Sequence, residues 1–199
     1  RDALLQMVEW IHRNKGLTRE QAYVLSSVAV DLRIGNLVDV PNFAVSAILG
    51  MYPLFRNRKV DLRHVVVDSK VGSSAAGAEE SASSHHPERA GVVRPYAATM
   101  HRHTAEMEQE LGIAGLSFLP HLIPMTRGIL AAGHVRPTRP VSQAELDDLY
   151  AAAYADEPFV TVVDAPPATG HVLGSNHARV FVRADTRTDR ILAIGVIDN

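Results

Sequence analysis

The first part of the chain carries apolar residues at helical spacing. Three of them stand at i, i+4 and i+7 and predict an amphipathic helix that ends near Gly16: Leu4, Val8 and Ile11. Thr18 and Gln21 have the spacing of a capping box. They predict a second helix whose apolar face is formed by Ala22, Leu25, Ala29 and Leu32.

From about residue 47 the pattern changes. An apolar helix continues to about Pro53, and HVVVDSKV at 64–71 predicts a strand because it is rich in β-branched residues. Further predicted strands are 116–125 paired with 129–135, then 159–163, 178–184 and 190–197. Thr104 is predicted to cap one helix, and Ser142 with Glu145 to open another. Without regular βαβ alternation, the order predicts an α+β fold with a mixed or largely antiparallel sheet. Residues 72–96 are expected to form a long loop.

Composition narrows the class of protein. The 199 residues are 46% hydrophobic and 21% charged, with a formal net charge of −2 and no cysteine. Disulfides, thiolate metal sites and a cysteine nucleophile are therefore excluded. No apolar run reaches about 18 residues, no basic excess suggests nucleic acid, and no signal peptide is visible at Arg1. We expect a cytoplasmic protein without membrane or nucleic-acid partners.

Histidine is the unusual residue type, with ten in the chain and two in the run HRHTAE at 101–106. On an extended segment His101 and His103 would project to the same face. Three interpretations remain open: ordinary surface histidines, a metal site completed by a distant ligand, and a catalytic acid or base.

Two other segments have candidate chemistry. The small residues of KVGSSAAG, 70–77, would let backbone amides approach an anion or nucleotide, although the segment lacks phosphate-loop and GxGxxG patterns and also reads as a flexible turn. Arg89 and Arg94 could bind phosphate through their guanidinium groups, or be ordinary solvated arginines.

Several ordered motifs carry a family resemblance: KVGSSAAGAEESASSHHPE, HHPERAGVVRPY, HRHTAEMEQEL, LIPMTRGILA, EPFV, GSN and AIGVIDN. Together, over about residues 47–199, they closely resemble the N-acetyl-gamma-glutamyl-phosphate reductases. That family includes a branch acting on carrier-bound aminoadipyl or glutamyl phosphate in lysine and arginine synthesis. SSAAGAEESASSHHPER is most similar to the carrier-protein branch, and LIPMTRGILA is similar to both.

The resemblance implies a semialdehyde-dehydrogenase-like catalytic and dimerisation domain. Its reaction would be the NADPH-dependent reduction of an acyl phosphate to a semialdehyde through a cysteine thiolate. The implied partners are a small-molecule acyl phosphate, in one branch presented by an amino-group carrier protein, and a second copy of the chain.

The resemblance also implies site residues. His101 aligns with the catalytic histidine, and His103 and Glu106 are expected to support it or contact substrate. Arg94 is assigned to substrate binding as well, through the phosphate-binding chemistry of its guanidinium group. The residues expected near the NADP cofactor are Ser73, Ser74, Ala76, Gly77 and Asn199, the last beside the nicotinamide.

The sequence departs from the family pattern at the nucleophile. The family has a Pro-Gly-Cys element where this chain reads PNFAVSAILGMYPL. No glycine-rich Rossmann half precedes it, and the sequence stops at IDN before the family's closing helix. Ser46 or Ser73 would not replace a thiolate, because an unactivated hydroxyl is a poor nucleophile. We therefore expect reductase ancestry without turnover.

Residues 1–46 resemble the C-terminal part of the acetamidase/formamidase family. We therefore expect two segments, 1–46 and 47–199, joined as a chimera. The amidase-like segment lacks that family's metal- and substrate-binding regions, so amide hydrolysis is not expected. The alternative to a reductase is a non-catalytic dimerising fragment.

Overall fold

The computed structural model describes residues 8–9, 12–13, 15–16, 18–21, 43–57, 59–76 and 86–198. The chain divides into two compact units, Arg1–Asp39 and Val40–Asn199. Residues 46 and 47, between which the segment boundary was predicted, both lie in the helix Phe43–Arg56, and that boundary stays a prediction.

In the first unit the capping box predicted at Thr18 is confirmed. The Thr18 N–H donates to Gln21 Oε1 at 2.9 Å, and the Gln21 N–H donates to Thr18 Oγ1 at 3.2 Å. Val8 is helical and buried. The other apolar positions predicted for these helices lie outside the described residues: Leu4, Ile11, Ala22, Leu25, Ala29 and Leu32.

The described part of the second unit contains four α-helices and seven strands. The helices are α1 (Phe43–Arg56), α2 (His86–Arg89), α3 (His103–Leu111) and α4 (Gln143–Ala153). The strands are β1 (Val60–Val71), β2 (Arg94–Pro95), β3 (Ser117–Leu122), β4 (Ile129–Pro137), β5 (Val160–Val162), β6 (Ala178–Asp185) and β7 (Arg190–Ile197). Short 3-10 turns occupy Ser73–Ala76 and Thr169–His171.

The strands form one mixed sheet in the order β2-β3-β1-β4-β7-β6-β5. The pairs β1/β3 and β5/β6 are parallel, and the other four pairs are antiparallel. The α+β class and the mixed sheet predicted from the sequence are confirmed.

The predicted pairing of β3 with β4 is wrong. β1 lies between them, with Val67 opposite both Phe118 of β3 and Gly133 of β4. The connection between β3 and β4 is short enough for a hairpin, so local spacing favoured the wrong partner. β1 is also longer than predicted and offers both of its edges for pairing. The predicted loop 72–96 is interrupted by the Ser73–Ala76 turn, α2 and β2.

One face of the sheet is covered by α1, which contributes Ala47, Met51 and Leu54 to the main apolar core. The Ser46 hydroxyl donates to the Gly195 carbonyl of β7 at 2.7 Å. A Cβ on Gly195 would lie 2.0 Å from the Ser46 carbonyl oxygen. The glycine therefore permits the close approach of helix and sheet.

Pro53 does not limit α1, contrary to the prediction, since the helix continues to Arg56. A proline inside a helix leaves the carbonyl four residues earlier without its usual N–H partner. Here that carbonyl belongs to Leu49, and the Tyr154 hydroxyl donates to it at 2.5 Å. Tyr154 follows α4, whose predicted capping box of Ser142 and Glu145 is confirmed.

Candidate active site

The HRH motif lies where the loop after β2 enters α3. The loop is pinned at its start by the Tyr96 N–H, which donates to the Pro120 carbonyl of β3 at 3.1 Å. Ala97 and Thr99 have φ of +45° and +67°. Such left-handed values are uncommon for residues with a Cβ and occur often at functional sites.

The helix starts one residue earlier than predicted. α3 begins at His103, with Arg102 at the N-cap position and no side-chain cap, so Thr104 lies inside the helix rather than capping it. The two histidines therefore do not share one face of an extended segment. Their rings instead meet edge to face, with centroids 4.8 Å apart.

The His101 ring is held on both of its nitrogens. Nδ1 accepts from the backbone N–H of His103 at 3.2 Å, and Nε2 lies 3.2 Å from the Tyr96 hydroxyl. Because Nδ1 is an acceptor, the neutral ring carries its proton on Nε2 and donates it to Tyr96 Oη. Edge contacts to Tyr96 and to Phe118 of β3, at centroid distances of 5.4 and 5.2 Å, fix the plane of the ring.

The surroundings keep both imidazoles uncharged at neutral pH. Burial lowers the pKa of His101 to about 4, with further lowering by His103 and Arg102 and a smaller opposing effect of Glu106. His103 is 5% exposed, and burial followed by the charge of Arg102 lowers its pKa too. At pH 7 the pair can act as neutral hydrogen-bonding groups, and an imidazolium would be unfavourable.

Glu106 lies beside the pair, one turn along α3. Its Oε2 is 4.0 Å from His103 Nε2, which is too long for a hydrogen bond. The structure thus brings together the three residues of the HRHTAE run that were expected to act together. Their individual roles stay predictions.

The other predicted site residues have different neighbours. Arg94 lies on edge strand β2 and pairs with Glu88 at 3.5 Å. Ser73, Ser74 and Ala76 form the 3-10 turn that follows β1. Gly77 and Asn199 lie outside the described residues.

The turn after β1 does not offer an anion cradle at its first three amides. The N–H groups of Gly72, Ser73 and Ser74 donate to the carbonyls of Gly128, Met125 and Thr126 at 3.0, 2.8 and 2.9 Å. Each of these donors is already used, so the suggested approach of backbone amides to an anion is not available there. The assignment of Ser73 and Ser74 to the cofactor stays a prediction.

Tyr96 contacts His101, and the charge of Arg89 acts on the Tyr96 hydroxyl, although sequence reasoning did not commit to either residue. Tyr96 ends the HHPERAGVVRPY motif, but only its contact with His101 identifies it as a site residue. Arg89 was considered only together with Arg94, and its burial separates the two in the structure: Arg89 is 6% exposed, whereas Arg94 is partly exposed on the edge strand.

Among the described residues, no group of three or more His, Asp or Glu is placed to hold a metal ion. In the same part of the chain, no helix is long and apolar enough to cross a membrane.

Comparison with protein families gives two matches. Residues 43–199 match the semialdehyde dehydrogenase dimerisation domain. Residues 1–54 match the acetamidase/formamidase family. Both matches include residues 43–54, which lie in α1.

Individual relatives extend the comparison. A protein of Natronomonas pharaonis, named as a LysW-L-2-aminoadipate/LysW-L-glutamate phosphate reductase, is 45% identical over 163 residues, covering 78% of this chain and 47% of the relative. An N-acetyl-gamma-glutamyl-phosphate reductase of Moorella thermoacetica is 37% identical over 203 residues, covering 96% of this chain and 59% of the relative. The second alignment includes most of the N-terminal segment that the acetamidase match also covers.

A solved structure shows the same fold. Aspartate semialdehyde dehydrogenase II from Vibrio cholerae has a TM-score of 0.59 at 15% identity, over 78% of this chain and 55% of that one. The chain spans about half the length of the curated relatives it matches. Since the family match covers most of the sequence and the predicted resemblance is confirmed, the chain belongs to the semialdehyde dehydrogenase family through its dimerisation domain.

Proposed function

We propose that the second unit is the substrate-side, dimerising half of an NADP-linked acyl-phosphate reductase. Its substrate would be N-acetyl-glutamyl phosphate or a LysW-linked aminoadipyl or glutamyl phosphate, the compounds in its relatives' names. The observation that carries the proposal is the oriented pair His101 and His103 at the start of α3, in a chain of this family. Reduced NADP would supply the hydride in such a reaction.

In this proposal His101 acts as an oriented, neutral group. Protonating Nδ1 would set two donors against each other, because the His103 N–H already points at that nitrogen. The proton on Nε2 is therefore the one that His101 can offer, through Tyr96, to an oxygen that gains charge in the site. Three backbone amides of the turn after β1 are already bonded, so the cofactor contacts of Ser73, Ser74, Ala76, Gly77 and Asn199 stay predictions, and we do not expect them to bind the cofactor by themselves.

The nucleophile position coincides with the start of α1. Phe43 is the first residue of this 14-residue helix, in the element where the family has its cysteine. A thiolate at a helix N-terminus is stabilised by the helix dipole, which lowers the thiol pKa. The chain has no cysteine, so we expect it to release no phosphate from an acyl phosphate by thiol chemistry.

The variant Phe43→Cys tests the substrate half-reaction without a cofactor. A bond forms between sulfur and the acyl carbon, the carbon–oxygen bond to phosphate breaks, and inorganic phosphate leaves. We expect mass spectrometry to show one acyl adduct on this variant with N-acetyl-glutamyl phosphate or its LysW-linked counterpart. Gln143→Cys is the matched control, because residue 143 also begins a helix. Equal acylation of both variants would refute a substrate site at α1.

We also propose that a second copy of the chain covers the open face of the sheet. Val66 of β1 and Leu119 of β3 are 40% and 37% exposed there. Between them, Asp68 accepts from Lys70 at 2.6 Å and lies 3.0 Å from His121 Nδ1. Apolar side chains that are exposed on one face of a sheet mark a candidate protein–protein contact surface.

Light scattering after size exclusion tests this second proposal. We expect a dimer for the wild type and a monomer for Val66→Asp, since a buried carboxylate opposes association. Val93→Asp serves as control, because Val93 is 61% exposed near edge strand β2. A dimer without acylation in Phe43→Cys would favour the non-catalytic dimerising fragment. A monomeric wild type would refute association through this face.

We propose that the N-terminal segment is a remnant of an amidase joined to the reductase half, as the match of residues 1–54 supports. We expect no release of ammonia from acetamide or formamide by the full chain. Measurable hydrolysis of acetamide or formamide that persists in Phe43→Cys and His101→Gln would refute the proposal that the segment is only a remnant.

A further inference from the structure

Arg89 is a buried cation with few acceptors. It ends α2 and is 6% exposed. Its Nη2 donates to the carbonyls of Val71 and Ile123, at the end of β1 and just beyond β3, both at 3.4 Å. These distances are at the long limit of a hydrogen bond. Nε and Nη1 are buried and have no hydrogen-bond partner within the described part of the chain.

Burying such a cation costs free energy of folding unless a negative charge compensates it. A guanidinium has five N–H donors, and buried charges in proteins are usually paired. In the described segments no carboxylate forms an ion pair with Arg89, and burial lowers its pKa. An anion adds Coulomb attraction and bidentate geometry that a bond to a neutral carbonyl lacks, so the unpartnered Nε and Nη1 groups favour an anion over a further carbonyl.

The position of Arg89 ties it to the histidine pair. Its charge interacts with the Tyr96 hydroxyl, lowering the pKa of Tyr96 against the larger raising effect of burial. That same hydroxyl contacts His101 Nε2 at 3.2 Å. Arg89 and Tyr96 also bond to nearby carbonyls of the β3 segment, those of Ile123 and Pro120. An anion held by Arg89 would therefore lie on the side of β3 where Tyr96 meets His101.

Arg94 is a weaker candidate for the same task. It is partly exposed on an edge strand and already faces the carboxylate of Glu88. A solvent-screened arginine contributes little to binding. We propose that Arg89, rather than Arg94, binds the phosphate group of the substrate, an inference that rests on the proposed function and deepens it. A phosphate has the several acceptor oxygens that the unsatisfied N–H groups of Arg89 require.

The test uses inorganic phosphate and the ¹⁵N-labelled full chain. At pH 7 and constant ionic strength, we expect phosphate to shift the Arg89 Nε–H resonance saturably, and acetate at the same concentrations to shift it at least tenfold less. Arg89→Gln should weaken phosphate binding at least tenfold. Arg187→Gln is the control of equal charge change, because Arg187 is exposed near the end of β6 and should bind as the wild type does.

Three results would overturn the proposal. They are an Arg89 resonance that phosphate does not move, equal shifts with acetate, and equal weakening by Arg187→Gln. If Arg89→Gln does not fold, the phosphate titration of the wild type still tests the proposal. Arg89→Lys, which keeps the positive charge, then replaces Arg89→Gln in the comparison of phosphate binding. Phosphate binding requires neither cysteine nor cofactor, so the proposal can fail while acylation of Phe43→Cys succeeds, and the reverse.

Discussion

The low pKa of His101 makes the stability of the fold depend on pH. An exposed histidine in the unfolded chain titrates near 6.5, whereas His101 in the fold titrates at about 4. As the pH falls below about 6.5, the unfolded chain takes up a proton that folded His101 refuses. Stability is therefore complete above pH 6.5 and is lost as the pH falls toward about 4.

The size of the effect follows from the gap between the two pKa values. A gap of about 2.5 units corresponds to at most about 3.4 kcal/mol of unfolding free energy. His101 is only partly buried, and screening by solvent reduces the figure to about 1–2 kcal/mol. His103, whose pKa is also lowered, adds a separate contribution in the same direction.

Urea unfolding at pH 7 and pH 4.5 measures this loss. We expect His101→Gln to lose about 1–2 kcal/mol less than the wild type between the two pH values. The carboxylates titrate in both proteins and cancel in the comparison. A direct check is NMR titration of the His101 ring in the folded chain. A midpoint at or above 6.5, or equal losses in both proteins, would refute the reasoning.

Three further outcomes can be checked on the same protein. Gly195→Ala should destabilise the fold by about 1–3 kcal/mol, because its Cβ would meet the Ser46 carbonyl at 2.0 Å and force α1 away from β7; an unchanged urea midpoint would contradict this. Tyr150→Phe should cost about 1–2 kcal/mol, since the buried hydroxyl donates to the Gly50 carbonyl, and thermal unfolding measures it against Tyr52→Phe. A fluorescence titration should show no saturable NADPH binding, and micromolar binding would place a cofactor site in this sequence.

Elements with strong local signals were predicted correctly. β7 was predicted at its observed bounds, and β6 to within one residue, because both are dense in β-branched and apolar residues. The start of α4 followed from Ser142 and Glu145, whose reciprocal bonds depend only on a four-residue segment. Such features depend only on residues within the same short segment of the chain.

Long-range features were not visible in the sequence. The position of β1 between β3 and β4 depends on which strands bury their faces together. The continuation of α1 through Pro53 depends on the Tyr154 hydroxyl, about a hundred residues away, which satisfies the Leu49 carbonyl. Neither spacing nor propensity contains that information.

The residues of the candidate site show the same difference between local signals, which the sequence contains, and long-range contacts, which it does not. His101, His103 and Glu106 were found because they lie in one short motif, and the turn at His103 brings them together. Tyr96 and Arg89 needed the fold, since one is identified by its contact with His101 and the other by its burial. Arg89 and Arg94 were both considered as phosphate ligands and Arg94 was assigned to substrate binding, but its partial exposure and its pairing with Glu88 weaken that choice.

Under the proposed function, the chain could lack the nucleophile and still keep the rest of the site, because different parts of the fold build the two. His101 and Tyr96 are held by β3 and by the backbone of α3. The start of α1 is fixed separately, through Ser46 and its bond to Gly195 of β7. A substitution at residue 43 therefore leaves both supports in place. An intact histidine geometry in a chain without cysteine is what this separation predicts, and it explains why restoring one side chain is a fair test of the whole site.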